Sequence, residues 1–340
     1  MSLRRPSIAV VGAGLAGLAA AELLATRGAE ITVFEKSLGS GGRLATRRSR
    51  EGPEFDHGAQ LLRPKTDEFA SYLDRACAAD AAAVWTPAPD GRPTRVGIPG
   101  MREVVAPLAR GLPVRYGTRV TAITACPRGV EVTAEHGGEI VGVHDAVLVT
   151  APAPQTIALL SNIAGAEGLA GVEMTPCWSL MLALKTPSPL AGDTFEAGSG
   201  TLATPLAWLA RNTAKPARPA SPECWVAHAD AAYSEAMLEA EPSDVAADLA
   251  AEVLPRIDRA AADVTYCRAH RWRYALTQVP LDASFFACAG APVWAAGDWC
   301  LGNRADHAYR SGRAAALEIA SALGLAEAEP APHAAEGSAP

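Results

Sequence analysis

Apolar and polar positions at the start of the chain predict a strand, a helix and a second strand. The β-branched run from Ile8 to Val11 is typical of a fully buried strand. An Ala- and Leu-rich segment follows and predicts a helix to about Arg27, which Gly28 ends. The apolar run Glu30–Phe34 predicts the second strand. The chain therefore opens with a βαβ unit, which is typical of a parallel sheet with helices on its faces.

The middle of the chain follows the two-residue period of β-strands. From Val114 to Thr150, apolar and polar positions alternate between glycines, which predicts a β-meander feeding one buried strand. Beyond Ile157, long apolar runs predict a second sheet, with strands at Cys177–Leu184, Leu206–Ala210 and Cys224–Ala229. The run Val293–Ala296 predicts a further apolar strand, which ends at Gly297 and Asp298.

Helical spacing and turn residues predict the remaining segments. Pro107 lies inside a helical pattern that starts after Gly100, so we expect a kinked or shortened helix there. Asp90 and Gly91 predict the turn of a hairpin between Trp85 and Val96. The segment Lys215–Pro222 contains three prolines and predicts an exposed loop. Other predicted helices are 65–79, 234–239, 243–257 and 305–323, and residues 327–340, rich in Ala, Pro and Glu, predict a disordered tail.

Composition limits the classes of protein that the chain can belong to. Its 340 residues, 49% hydrophobic and 20% charged, are typical of a globular protein of one large or two ordinary domains. A net charge of −7 argues against a nucleic-acid partner. The seven cysteines are scattered and form no Cys-x-x-Cys pair, which favours a reduced, cytoplasmic protein without a metal centre.

The amino terminus resembles a secretory signal, because Arg4 and Arg5 precede an apolar run. That run is the predicted first strand and helix, so cleavage would remove the unit described above. It is also short and rich in glycine, which argues against a membrane span. We therefore expect an uncleaved cytoplasmic protein without a membrane partner.

Three glycines between the first strand and the helix indicate a dinucleotide site. Gly12 allows a tight turn, Gly14 lets a pyrophosphate approach the backbone, and Gly17 lets the helix and strand pack closely. The free amides and the positive dipole end of the helix would face the phosphates, and Ala13, Leu15 and Ala16 of this motif are candidates for binding the cofactor. Such a glycine pattern alone is a weak signal, but the flanking strands and an acid in register strengthen it.

That acid is Glu35, which stands 18 residues after Gly17 at the end of the second strand. A carboxylate there accepts hydrogen bonds from both ribose hydroxyls of a bound dinucleotide. Gly41, Gly42 and Arg43 follow within a few residues, and a guanidinium suits the oxygens of a pyrophosphate.

This combination resembles the FAD-binding flavoproteins of the amine oxidase superfamily rather than NAD dehydrogenases. Within that superfamily the chain resembles renalase and its bacterial relatives, from one end to the other. The motifs that carry the resemblance are the opening glycines and the runs Gly41–Arg47, Phe55–Gln60, Gly97–Met101, His270–Ala275 and Gly297–Cys300.

The resemblance implies non-covalent FAD and a set of residues around it. Gly58, Ala59 and Gln60 would pass beside the flavin ring, Val120 would contact the adenine, and Lys36 belongs to the cofactor motif. Gly297 and Asp298 would contact the ribityl or phosphate portion, and the following helix would point at the pyrimidine edge. The run Asn303–His307 departs from the Gly-Arg-Val-Glu-like run that is usual in the family, which leaves the contacts of that edge open.

Four residues are candidates for the substrate side. Trp272 lies between Arg271 and Arg273, and strand alternation places its ring on the opposite face from both arginines. Trp208 is a weaker candidate for stacking, and Asn212 for holding a substrate amide. His57 is a candidate acid or base, although a structural histidine is favoured because flavin hydride transfer needs neither.

The resemblance also implies the fold class and the domains. We expect an α/β protein with a Rossmann-type FAD-binding domain, in which a three-layer sandwich includes the β-meander. A smaller α+β substrate domain would contain an antiparallel sheet. The FAD-binding domain would comprise residues 1–62, 97–156 and 286–326, and the substrate domain residues 63–96 and 157–285.

The implied reaction is oxidation of dihydronicotinamide substrates, isomeric forms of dihydro-NAD(P), by hydride transfer to flavin N5. O2 would reoxidise the flavin and give H2O2. The leading alternative is an amine oxidase, which generally carries a lysine near flavin N5; of the four lysines, only Lys185 is plausible for that role. A non-catalytic dinucleotide-binding protein and a desaturase of lipid-like substrates are further alternatives, and the oligomeric state stays open.

Overall fold

A computed structural model describes residues 4–50, 52–86, 94–135, 139–196 and 205–325 of the chain. The strands are β1 Ser7–Val11, β2 Glu30–Phe34, β3 Thr46–Arg48, β4 Glu54–Asp56, β5 Ala82–Trp85, β6 Thr94–Gly97, β7 Val114–Arg115, β8 Val120–Cys126, β9 Gly129–Ala134, β10 Glu139–His144, β11 Ala146–Val149, β12 Glu173–Leu184, β13 Thr194–Glu196, β14 Leu206–Arg211, β15 Glu223–Ala229, β16 Val264–Val279, β17 Phe286–Ala287 and β18 Val293–Ala295. The helices are α1 Leu15–Thr26, α2 Asp67–Ala78, α3 Ala106–Ala109, α4 Ala153–Leu159, α5 Ala231–Ala236, α6 Pro242–Arg256 and α7 Ala305–Ala322.

Six strands form a mainly parallel sheet in the order β17-β18-β11-β1-β2-β7. Only β17 pairs antiparallel with its neighbour; the other four pairings are parallel. The chain moves from β1 to β2 on one side and later returns to β11 on the other side of β1. A crevice therefore opens at the carboxyl end of β1, which is where ligands bind in open α/β sheets.

The two faces of this sheet are covered differently. One face packs against α1, α2, α3 and α7 in a single hydrophobic cluster. The other face packs against the antiparallel meander β8-β9-β10 and against α4. The predicted three-layer sandwich with a β-meander is confirmed.

Close packing of α7 on α1 depends on Gly312. A Cβ on Gly312 would collide with the backbone carbonyl of Ala16 in α1, so only glycine lets the two helices approach this closely. The neighbouring Ser311 accepts a hydrogen bond from the Gly297 amide at 3.0 Å. The carboxy-terminal helix is thereby fixed against the glycine-rich end of α1.

The second sheet is antiparallel, with strand order β13-β14-β15-β12-β16. One face packs against α6 through a hydrophobic cluster that includes Trp178 and Trp225. The other face packs on Phe55 of β4, through Met181 and Val226 among others. The predicted strands of this sheet are confirmed, and the 16-residue β16 forms its edge.

Several predicted elements have other bounds or neighbours in the structure. Pro107 lies in the first turn of α3, a one-turn helix that follows a 3-10 turn at Met101–Val105, as expected for a shortened helix. The strands β5 and β6 form the predicted hairpin, but its Asp90-Gly91 turn lies outside the described residues, as does the predicted tail. Residues of α2, β5 and β6 pack in the same cluster as α1 and α7. The assignment of residues 63–96 to a substrate domain stays a prediction.

Candidate functional site

The glycine turn after β1 leaves open space at the start of α1. Gly12 has φ +111°, a value that favours glycine, and its amide donates to the Phe34 carbonyl at 2.8 Å. A Cβ on Gly17 would collide with the Gly12 carbonyl, whereas a Cβ on Gly14 would meet nothing within 4 Å. No side chain caps α1. The turn therefore lets an anionic group approach the positive end of the helix.

Glu35 is 7% exposed and lies beside this turn. Its carboxylate accepts hydrogen bonds from the amide of Ala13 at 2.9 Å and from the amide of Ser37 at 2.8 Å. These bonds fix the carboxylate at the carboxyl end of β2. Lys36 extends away from it, and its Nζ donates to Gln155 at 3.2 Å, while Val120 begins the first strand of the meander.

Arg43 and Asp298 come together from opposite ends of the chain. Both guanidinium Nη atoms of Arg43 donate to the Asp298 carboxylate, one of them at 2.8 Å. The same guanidinium donates to the Ala275 carbonyl at 2.9 Å. Two residues predicted to bind the cofactor thus form an ion pair at the mouth of the crevice.

Together these features fit an adenine dinucleotide. The open space at Gly14 suits a pyrophosphate, Glu35 suits the ribose, and the pair Arg43–Asp298 lies where the second half of the dinucleotide would follow. When FAD is present, these residues would hold it without a covalent bond.

The segment Gly58–Gln60 is tightly packed against Arg43. The Ala59 amide donates to the Arg43 carbonyl at 2.9 Å, and a Cβ on Gly58 would collide with that same carbonyl. The Gln60 side chain folds back onto its own segment, where its Nε2 donates to the Gly58 carbonyl at 3.0 Å and to the Asp56 carbonyl. These hydrogen bonds fix the backbone of the segment.

Asp56, which precedes this segment, is shared by two buried cations. Its Oδ2 accepts from Lys215 Nζ at 3.1 Å and from Arg218 at 2.6 Å, and these side chains are 0–1% exposed. Its Oδ1 accepts from Thr46 Oγ1 at 2.7 Å and from the Met101 amide at 2.9 Å. Burial alone would raise the pKa of Asp56, but the charges of Lys215 and Arg218 more than offset it and hold that pKa well below its usual range.

Lys215 links Asp56 to the segment Gly58–Gln60. Its ammonium also donates to Gln60 Oε1 at 3.1 Å, and burial lowers its pKa, which the charge of Asp56 counteracts. The prediction that Lys215–Pro222 is an exposed loop is therefore wrong at Lys215 and Arg218, because both are drawn inward by Asp56. Lys185, the lysine favoured from the sequence, is exposed.

Asn212 makes a different contact from the predicted one. Its Oδ1 accepts from the Asp56 amide at 3.3 Å, and its Nδ2 donates to the Glu54 carbonyl at 3.0 Å. The amide side chain thus pairs with the edge of β4 much as a neighbouring strand would. These two bonds occupy the group that was predicted to hold a substrate amide, so we assign Asn212 a structural role.

One register row crosses four strands of the second sheet, on the face that packs on Phe55 of β4. Trp208 of β14 lies opposite His228 of β15, His228 opposite Ser179 of β12, and Ser179 opposite His270 of β16. Directly opposite residues project to the same face, so the four side chains form one line. The Gln60 amide lies 3.5 Å from His228 Nε2, at the middle of this line.

The rings of His57, His270 and Trp272 close one end of the row. His57 and Trp272 are stacked with 5.1 Å between centroids, and His270 meets both rings edge-on at 4.8 and 4.5 Å. Trp272 Nε1 donates to the His57 carbonyl at 2.9 Å. Arg271 and Arg273 both pair with Glu239 on the other face, so the orientation predicted for Trp272 agrees with the structure.

His57, His228 and His270, called here the imidazole cluster, are held uncharged. Burial lowers the pKa of His57 to about 3, with further lowering by His270 and Arg47. Burial lowers the pKa of His228 to about 4, and of His270 to about 4, where Arg47 contributes as well. Each imidazole is therefore neutral at pH 7.

Comparison with known proteins identifies the family. The pattern described as "NAD(P)-binding Rossmann-like domain" matches residues 10–76, and the pattern described as "Flavin containing amine oxidoreductase" matches residues 75–320. The latter covers more than half of the chain. The chain belongs to the flavin-containing amine oxidoreductase family. FAD is accordingly its cofactor, and it is a flavin-dependent oxidoreductase.

Individual members of the superfamily are similar to the chain over shorter stretches or in fold. A carotenoid phi-ring synthase from Streptomyces griseus is 58% identical over 40 residues, 12% of this chain and 8% of that protein. A 4,4'-diapophytoene desaturase from Staphylococcus aureus (strain bovine RF122 / ET3-1) is 46% identical over 55 residues, 16% of this chain and 11% of that protein. A crystal structure from Exiguobacterium sp. 255-15, provisionally assigned as a protoporphyrinogen oxidase, has a TM-score of 0.67 at 13% identity and covers 94% of this chain and 99% of that one. The last similarity shows the fold.

In this family member, sequence reasoning missed several residues around the segment Gly58–Gln60. The motif runs that were recognised contain Asp56 and His270, but no local pattern shows that Asp56 meets Lys215 and Arg218. Ser179 and His228 each interrupt an apolar run of a predicted strand. A single polar residue at a buried strand position could have indicated a functional side chain there. Among the described residues, no helix is long and apolar enough to cross a membrane.

Proposed function

We propose that the chain is an FAD-dependent oxidase of dihydronicotinamide substrates, namely isomeric forms of dihydro-NAD(P). The observation that supports this proposal is the imidazole cluster with Trp272, a neutral aromatic surface beside the cations Arg47 and Lys215. When bound, FAD accepts a hydride from a ring carbon of the substrate at N5, and O2 then takes the two electrons and protons to give H2O2.

Trp272 offers a fixed stacking surface. Its indole N–H is held by the His57 carbonyl, and its ring lies 5.1 Å from the His57 ring. An atom of Trp272 lies 3.5 Å from the position of a Cβ on Gly58, so indole and backbone are in close contact. A flat dihydronicotinamide ring stacked here would lie beside the segment expected to face the flavin, in an orientation that the protein holds in advance.

The electrostatics of the site favour an uncharged ring with an anionic remainder. Arg47 acts on His57 and His270, and Lys215 acts on His228, so two cations disfavour protonation of the imidazole cluster. The nearby carboxylate of Asp56 is already bonded to two cations. A protonated amine would meet no free anion here, whereas a dihydronicotinamide nucleotide brings a neutral ring and negative phosphates.

Two buried polar atoms of the row are free to recognise a carboxamide. Within the described part of the chain, neither Ser179 Oγ nor Trp208 Nε1 has a hydrogen-bond partner. An indole N–H donates to a carbonyl oxygen, and a hydroxyl accepts from an amide N–H. We therefore propose Trp208 as a donor to the substrate carboxamide, a role different from the stacking predicted for it.

A second candidate is an amine oxidase, and Lys215 is the observation that favours it. A buried ammonium bonded to Gln60 could hold a water near the flavin, as the lysine of amine oxidases does. Lys215 already donates two of its three protons to Asp56 and Gln60. The carboxylate of Asp56 is bonded to two cations, so it is not free to bind a substrate ammonium. We therefore rank this function second.

Anaerobic mixing of the FAD-loaded protein with isomeric dihydro-NAD(P) and with a panel of amines separates the two. We expect the flavin's visible absorbance to bleach within the mixing experiment with the dihydronicotinamides and to persist with the amines. Admission of air should restore the absorbance and yield one H2O2 per substrate. Bleaching by amines alone would refute the proposal.

Variants of Trp272 test the stacking role. Trp272→Phe keeps an aromatic surface but loses the bond to the His57 carbonyl, and Trp272→Ala loses both. We expect the rate of flavin reduction to fall more steeply for Trp272→Ala, with Trp225→Phe in the remote core as the control for a general packing effect. Equal rates in all variants would contradict stacking on this ring.

A further inference from the structure

We propose that Arg47 and Arg268 form a phosphate-binding site for the charged arm of the substrate. This inference rests on the proposed function, because it concerns the phosphate that a dihydronicotinamide nucleotide carries beyond its ring. It makes the two arginines specificity-determining residues for phosphorylated over unphosphorylated dihydronicotinamides.

The register of the β3–β4 hairpin directs Arg47 toward β16. Arg47 lies directly opposite Phe55, so both side chains project to the same face of the hairpin. Phe55 faces the second sheet, where its ring stacks on Tyr266 of β16 with 5.1 Å between centroids. Arg47 therefore lies on the side of the second sheet, away from the crevice at α1, and is not placed to bind the pyrophosphate of FAD.

Arg268 lies on the same face of β16 as His270 and Trp272. It stands two residues after Tyr266 and two before His270, so strand alternation puts the four side chains on one face. The pairing of Arg268 with Met181, which packs on Phe55, confirms this face. Arg268 and the stacking ring thus lie on one face of β16, and Arg47 projects toward that face from β3.

Neither guanidinium is committed elsewhere in the described residues. Arg268 lies over the Tyr266 ring at 5.8 Å, and among the described residues neither arginine side chain has a hydrogen bond or an ion pair. The adjacent Arg48, by contrast, pairs with Glu54 at 2.9 Å. Arg47 is half-buried, and it lies close enough to His57 and His270 to disfavour their protonation. A half-buried cation without a counter-ion beside a substrate surface is ready to bind an anion.

The spacing along β16 suits a ring with a phosphate arm. Arg268 and Trp272 are four residues apart on a strand, which is about 13 Å at roughly 3.3 Å per residue. A dihydronicotinamide ring on Trp272 can extend its ribose along the strand and present its phosphate to the guanidinium groups. A planar guanidinium donates two parallel hydrogen bonds to the oxygens of one phosphate. Two arginines therefore suit a phosphate better than two lysines would.

The test compares two substrates that differ only in the phosphate. Isomeric dihydronicotinamide mononucleotide and the corresponding riboside are mixed anaerobically with FAD-loaded wild type, Arg47→Gln, Arg268→Gln and the control Arg48→Gln. For Arg47→Gln we expect the substrate concentration giving half-maximal flavin reduction to rise about tenfold with the mononucleotide and to stay unchanged with the riboside. Arg268→Gln should shift in the same direction by less, since Arg268 is exposed, and Arg48→Gln should match wild type.

A binding measurement supports the kinetic one without depending on turnover. Inorganic pyrophosphate should bind FAD-loaded wild type in a titration calorimeter, more weakly at high salt, and should bind Arg47→Gln about tenfold more weakly than Arg48→Gln.

The outcomes separate this inference from the proposed function. If the riboside and the mononucleotide both reduce the wild-type flavin and Arg47→Gln changes neither, the phosphate site is refuted while the proposed function stands. An equal loss with both substrates would assign Arg47 a structural role and would also refute it. If neither substrate reduces the wild-type flavin, the proposed function fails and this inference fails with it.

Discussion

Replacement of Asp56 by asparagine tests the buried charge cluster most directly. The wild-type carboxylate neutralises two side chains, Lys215 and Arg218, that are 0–1% exposed. Asparagine has the same shape and can keep the bonds from Thr46 and from the Met101 amide through its oxygen. Its NH2 group, however, would face an ammonium and a guanidinium where the second carboxylate oxygen was.

The magnitude follows from the bonds that are lost. Two charge-assisted hydrogen bonds disappear, each worth about 1.5–3 kcal/mol, and two buried positive charges lose their counter-ion. Removing one partner of a buried ion pair costs about 3–5 kcal/mol. We expect Asp56→Asn to lower the free energy of unfolding by about 3–5 kcal/mol, and to lower the pKa of Lys215 further.

Urea unfolding of wild type and variant, each saturated with FAD, provides the measurement. Glu239→Gln is the matched control, because it also removes a carboxylate shared by two arginines, Arg271 and Arg273, but one that is 71% exposed. Water screens exposed ion pairs, so the control should change stability far less. The double variant Asp56→Asn/Lys215→Met should recover part of the loss. A change below about 1 kcal/mol for Asp56→Asn, with the same denaturant slope as wild type, would refute the buried cluster.

Three other expectations concern the cofactor site and the imidazole cluster. Gly14→Ala should keep the fold, because the added Cβ meets no protein atom within 4 Å, but it should abolish FAD retention. Gly17→Ala should fail to fold, because its Cβ collides with the Gly12 carbonyl. Circular dichroism reports the fold of each variant, and the flavin spectrum reports whether it retains FAD. Glu35→Gln should weaken FAD binding about tenfold in a fluorescence titration of the apoprotein, and an unchanged affinity would exclude Glu35 from the ribose site. The free energy of unfolding should fall as the pH drops from about 7 toward 4. Over this range the histidines bind protons in the unfolded state, whereas in the folded state their lowered pKa values keep the imidazole cluster neutral. The three groups together change the free energy of unfolding by at most about 4 kcal/mol per pH unit. His270→Asn should reduce this slope by about 1.4 kcal/mol per pH unit, as measured by urea unfolding at a series of pH values.

The sequence determined the cofactor half of this protein. The turn with Gly12, Gly14 and Gly17, the helix after it and Glu35 at the end of the next strand lie within 24 consecutive residues. Each depends on local conformation, so a local pattern suffices to predict it. The same holds for the strands of the second sheet, whose burial shows as apolar runs, and for the face of Trp272, which follows from alternation along one strand.

Only the tertiary structure decided which distant residues meet around Asp56 and along the row of the second sheet. Asp56 contacts Lys215 and Arg218 across about 160 residues of sequence. Both cations belong to the proline-rich segment Lys215–Pro222, which the sequence predicts to be an exposed loop, and their side chains are buried against Asp56. The row Trp208, His228, Ser179 and His270 depends on the register of three strand pairings. Register is chosen by how well a whole core packs, and a shift of one residue would turn every side chain of a strand to the other face. Periodicity within a segment reports which positions are buried; which charges and rings meet there is settled only when distant segments pack together.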